Sequence, residues 1–126
     1  MRQQYYFTPS NNGVIAWCVK RLIHLTHHFP VIQYPLDQIK ELNEDYWFKN
    51  ESIVPTCKAV ADHMKLVQNT NLRYPVILSE TGAVMDGMHR VVKAYVQGHN
   101  TINAVQFTKD PEPDYINVDP KDLPYD

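Results

Sequence analysis

Between Pro75 and Gly98 the chain reads PVILSETGAVMDGMHRVVKAYVQG, and this order of residue types leaves few ways to fold. The β-branched run PVILS, the punctuation Glu80-Thr81-Gly82 and the short apolar run AVM spell two strands joined by a tight turn. Asp86-Gly87 breaks the strand period, after which Val91, Val92, Tyr95 and Val96 predict a helix that buries them and stops at Gly98, where a left-handed cap costs least. The segment INAVQF follows as one more strand.

The same stretch raises a question of charge. His89 and Arg90 fall in the first turn of the helix, where free N–H groups already supply about half a positive charge, so cations are disfavoured unless something negative joins them. Asp86 reads as the cap, its carboxylate accepting the N–H of Met88 or His89. Gly87, lacking a Cβ, lets an anion approach the first-turn N–H groups, and Arg90 offers the planar fork that suits phosphate oxygens. Asp86, Gly87, Met88, His89 and Arg90 thus spell a phosphate site. The competing reading is a plain hairpin-to-helix junction, with Asp86 an ordinary cap and Arg90 paired with acidic residues of the tail.

Upstream, GVIAWCVKRLIHLTHHF places Ile15, Cys18, Leu22 and Leu25 at three-to-four-residue spacing, which predicts an amphipathic helix ended by Pro30. VIQY, between Pro30 and Pro35, suits an edge strand. LDQIKELNEDYWF predicts a short helix capped by Asp37, with Leu36, Ile39 and Leu42 as its apolar stripe. PTCKAVADHMKLVQNTN predicts a helix capped by Thr56, with Val60, Met64 and Val67 facing one way and Asn69 to Asn71 closing it. The tail from Thr108 is acidic and proline-rich yet carries Tyr115, Ile116, Val118, Leu123 and Tyr125. So many large apolar groups predict an extended segment laid across the domain or a neighbour.

A chain of 126 residues fits one domain, here 1–126, and its 44% apolar and 21% charged residues are ordinary for a globular protein. The net charge of -2 removes the electrostatic footprint of a nucleic-acid binder, so DNA is not an expected partner. The opening MRQQYYFTPSNNG lacks the pattern of a secretory leader, and no apolar run is long enough to span a bilayer, which predicts a cytoplasmic protein without a membrane partner. Cys18 and Cys57 stand alone and read as small core residues, neither a disulfide nor a zinc pair. His27 and His28 point to different faces and suit no metal. Trp17 and Trp47 read as core anchors, since the basic interleaving of a base-stacking platform is absent.

The stretch PVILSETGAVMDGMHRVVKAYVQGHNTINAVQF, with the upstream VIQYPLDQI, resembles the superfamily of ParB amino-terminal domains, sulfiredoxin and the free serine kinases. The likeness covers roughly residues 30 to 107, and its specific core is D-G-x-H-R opening a helix after a hairpin. It implies an α+β domain of the ParB/sulfiredoxin-like type, a small mixed sheet flanked by helices. It also implies nucleotide phosphates (ATP, ADP or CTP, with Mg²⁺ as companion) at the loop and helix end, with polar contacts from the preceding helix at Thr56, Lys58 or His63. The activities implied are those of a small-molecule kinase or nucleotide hydrolase; the alternative is a binding or regulatory module that keeps the fold without chemistry. The kinases draw their base from an earlier acidic residue, a region that here holds Glu41 and Glu44, although Glu41, Glu44 and Asp45 more commonly mark a solvated helix end. Met88 stands where sulfiredoxin carries its catalytic cysteine, and a thioether cannot serve as that nucleophile, so sulfinic acid reduction is not expected. Nor is DNA partitioning, because no helix-turn-helix region follows.

Overall fold

A computed structural model describes residues 3–11, 13–48 and 54–125. Among these residues two sheets and three α-helices give an α+β fold. The larger sheet holds β3 (Ile32–Pro35), β4 (Val76–Leu78), β5 (Val84–Asp86) and β6 (Thr101–Gln106), ordered β3, β6, β4, β5 in space. Its β4–β5 and β3–β6 pairs are antiparallel and its β4–β6 pair is parallel, so the helix between β5 and β6 is part of a crossover. VIQY falls on an edge, where Pro35 costs no ladder bond.

Alternation along these strands builds a core on each face of the sheet. Val76, Leu78, Val84, Ile102 and Ala104 point one way and pack with Leu36, Ile39, Met88, Val91 and Ala94. Ile77, Met85 and Val105 point the other way and pack with Trp17, Leu22 and Phe107. Burial on both faces explains why these strands read as nearly unbroken apolar runs.

The second sheet departs from the sequence expectation. Gly13–Cys18 is not the start of a helix but a strand, β2, antiparallel to β1 (Tyr5–Ser10) with Ser10 opposite Gly13; only Val19–Leu25 is helical (α1). Long-range pairing prevails here because Val14, Ile15 and Trp17 are stiff, strand-favouring side chains. Gly13, at φ +80°, turns the chain as few other residues can. The tail closes this sheet. β7 (Tyr115–Ile116) pairs with β2, the Trp17 indole donates to the Pro111 carbonyl at 2.8 Å, and Leu123 is buried. The Tyr115 and Tyr125 rings meet Tyr5 edge-on.

LDQIKELN forms two short 3-10 turns rather than a helix, and Asp37 makes no side-chain cap. Cys57–Asn69 is α2, capped by the Thr56 hydroxyl, which accepts the Ala59 N–H at 3.1 Å. Of its expected apolar face only Val67 is buried; Val60 and Met64 are exposed. Met88–Val96 is α3, whose buried stripe is Met88, Val91 and Ala94, with Tyr95 and Val96 in solvent. Gly98, at φ +80°, ends it as expected. Cys18 is half-buried and Cys57 exposed, both free thiols, so neither is the core residue anticipated. Among the described residues no helix is long and apolar enough to cross a membrane.

Candidate functional site

The D-G-M-H-R turn lies where β5 passes into α3, and its geometry begins with Gly87. This residue is the N-cap of α3, at φ +107°, and a Cβ there would sit 2.7 Å from both Val76 Cγ1 and Arg90 Nη2. Only glycine fits that close approach. The left-handed step leaves Asp86 at the end of the strand, so the expected cap is not made: among the described residues no side chain caps the first turn of α3. Asp86 pairs instead with Arg90, Oδ2 to Nη2 at 3.2 Å, both side chains being largely buried.

Asp86 is therefore one negative partner that the sequence left open for Arg90, supplied from within the motif and not from the tail. Arg90 also donates to the Pro75 carbonyl at 3.4 Å, and its buried Nε has no acceptor among the described residues. The guanidinium and Asp86 line a cleft of about 490 Å³ between α1 and the larger sheet, walled by Ile23, Phe29, Tyr74 and Ile77. A concave, mostly apolar cleft with a few convergent polar groups is the usual form of a small-molecule site.

His89 and Arg90 do not close over a common point. His89 turns toward α2, where its Nε2 meets His63 Nδ1 at 3.2 Å. The Trp47 ring stacks on both imidazoles, at centroid distances of 4.5 Å to His63 and 4.8 Å to His89. Burial first, then His63 and Arg90, hold the proton affinity of His89 below the ordinary histidine range, against the opposing pull of Asp86. Trp47 borders the larger core cluster, as an anchor should, but its stacking partners come from the site.

The α2 candidates divide. His63 reaches the motif; Thr56 is occupied as the helix cap; Lys58 is exposed and pairs with Asp62 at 3.4 Å. Met88 contributes its side chain to the core and only its backbone to the turn.

Glu41 is the residue the sequence undervalued. It is 6% exposed, its Oε2 accepts the Val84 N–H at 2.7 Å on the open edge of β5, and its Oε1 has no partner among the described residues. Two phenols share its field: burial, then Tyr6, Glu41 and Asp86, push Tyr46 up to about 12, and burial followed by Glu41 raises Tyr6. Glu44 and Asp45 remain exposed, as a solvated turn should be. Among the described residues no three histidine, cysteine or acidic side chains cluster as metal ligands.

No family model, curated protein or solved structure matches the chain.

Proposed function

We propose that this domain binds a nucleotide or another phosphate-bearing small molecule at the amino end of α3, with Arg90 as its principal anion contact. The observation that carries the reading is Arg90 itself: a largely buried guanidinium, held by one carboxylate oxygen, with an Nε unfilled among the described residues, at the wall of an apolar cleft. The first-turn N–H groups of α3 have no side-chain cap among the described residues, and Gly87, without a Cβ, lets the Arg90 guanidinium close on the backbone there. The succession of hairpin, D-G-x-H-R, helix and parallel strand is in keeping with a ParB/sulfiredoxin-like domain, and we include that membership in the proposal. A site this small, on a chain of net charge -2, suits a small molecule and not DNA.

A catalytic version, phosphoryl transfer or nucleotide hydrolysis with Mg²⁺, is favoured by one feature: the buried Glu41 carboxylate, which accepts the N–H of Val84 two residues before Asp86 and has one oxygen without a partner among the described residues. A non-catalytic module needs no such group.

Thermal-shift titration with ATP, ADP, CTP and GTP, with and without Mg²⁺, and with inorganic phosphate and pyrophosphate, tests the binding. A ligand that binds only the folded state raises the melting temperature, by about 2.7 kcal/mol of stabilisation at a hundredfold excess over Kd. The expected result is a rise with at least one nucleotide that is lost in Arg90→Ala. No rise with any of them, or the same rise in the variant, overturns the reading. Glu41→Gln separates the two versions: it abolishes turnover of the bound nucleotide if Glu41 is the base and leaves binding alone.

A further inference from the structure

His63 on α2 and His89 on α3 face each other Nδ1 to Nε2 at 3.2 Å, with ring centroids 5.4 Å apart and planes within 17°. Two nearly coplanar rings opposed in this way make one N–H···N hydrogen bond, in which one nitrogen donates and the other accepts. Such a contact holds a single proton between the facing nitrogens. One proton added to the neutral pair keeps this bond, an imidazolium donating to a neutral ring; only when both rings are cations do the facing nitrogens hold a second proton, with two N–H groups pointing at each other.

The Trp47 ring spans this pair, within 20° of the His63 plane and 18° of the His89 plane. We propose that the His63–His89 pair is a proton-counting latch: Trp47 stays stacked on it while the facing nitrogens share one proton, and a second proton between them parts the rings and releases Trp47 and Phe48.

The neighbouring charges set the direction. On α3, Arg90 opposes further positive charge at His89; on β5, Asp86 favours it, but its carboxylate is engaged by Arg90. On α2, Lys58 and Asp62 pair with each other at the exposed surface. In the Trp47 loop Asp45 accepts the Phe48 N–H at 2.9 Å, Glu44 is exposed, and the Phe48 ring meets His63 edge-on. His89 binds its proton less readily here than in an unfolded chain, where the histidine value is near 6.5. A lowered value means that the closed arrangement is fully stable above about pH 6.5 and loses stability as the pH falls below it.

Opening has a structural consequence. Trp47 and Phe48 wall an apolar groove of about 170 Å³ together with Val60, Met64, Val67, Val92 and Val96. Acid release of Trp47 therefore uncovers apolar surface between α2 and α3. The latch does not depend on the ligand proposed above.

The test is an NMR titration of the full chain from pH 8 to pH 5, following the Trp47 indole N–H, assigned with Trp47→Phe, and the ring resonances of His63 and His89. Far-UV circular dichroism and ANS fluorescence are read in parallel. The expected result is a Trp47 transition with its midpoint below about 6.5 that matches the titration of the pair, with rising ANS signal and unchanged helicity. In His63→Gln, whose amide cannot add the second proton, the Trp47 transition disappears. Three outcomes overturn the proposal: a flat Trp47 signal, a transition that coincides with loss of helicity, or two histidines that titrate independently at ordinary values. The last of these is read on the wild-type chain and stands even if the variant fails to fold.

Discussion

Arg90 shows how a local motif can be read correctly in kind and wrongly in connection. Cations in the first turn of a helix demand a negative partner, and that demand was legible in the sequence. The identity of the partner was not, because Asp-Gly before a helix is also the pattern of a carboxylate cap, and only the positive φ of Gly87 decides between the two. Gly87→Ala should therefore lower the stability by about 2 kcal/mol or more, the left-handed strain of an ordinary residue plus the collision with Val76; an unchanged urea midpoint would contradict this. Glu41 escaped the sequence for a different reason: its function as an acceptor for Val84 is fixed by a contact 43 residues away in the chain. Glu41→Ala leaves that edge N–H without its acceptor and should cost about 1–3 kcal/mol in a denaturation curve. Glu41→Gln keeps an acceptor oxygen and should cost less.

Elements whose stability is local were the ones the sequence spelled out most directly: the β4–β5 hairpin, α2 and α3 occur where residue type and spacing place them. Thr56 illustrates why, since its hydroxyl caps α2 through a residue three positions on. Thr56→Ala should cost about 1 kcal/mol, measurable in a thermal or urea melt, whereas Asp86→Ala should show no loss of a cap because it makes none. The first helix was misread because Ile15, Cys18 and Leu22 keep helical spacing by chance while Ala16 and Trp17, adjacent in sequence, are both buried in the strand. Asn11-Asn12-Gly13 between YYFTP and VIAW was the available signal of a hairpin turn. The exposure of Tyr95 and Val96 was beyond the sequence, because the helical period alone does not say which face of α3 meets the sheet.

At the scale of the molecule, the two sheets are tied together by the tail, which crosses back to β2 and covers one side of the hairpin. Pro111 accepts from Trp17, Asp114 accepts the Cys18 N–H and bonds Arg21, and Tyr5 donates its hydroxyl to the Pro124 carbonyl. Deleting residues 111–126 removes these bonds and the burial of Leu123, and should lower the melting temperature by about 5 °C or more; an unchanged melt would show that the tail contributes nothing to the fold. The sequence foresaw a tail laid on the domain, since apolar groups recur in it, but not that it would pair as a strand with residues expected to be helical. In this architecture the β5–α3 junction lies beside α2 and the larger sheet, and the central claim is that it receives a phosphate-bearing molecule. The most direct measurement is an amide NMR titration of the full chain with the nucleotide that gives the largest thermal shift. Binding at this site predicts saturable shifts concentrated at the backbone N–H groups of Gly87, Met88, His89 and Arg90, weakened by about 1.5–3 kcal/mol in Arg90→Ala. Shifts centred elsewhere, or none at millimolar nucleotide, would contradict it.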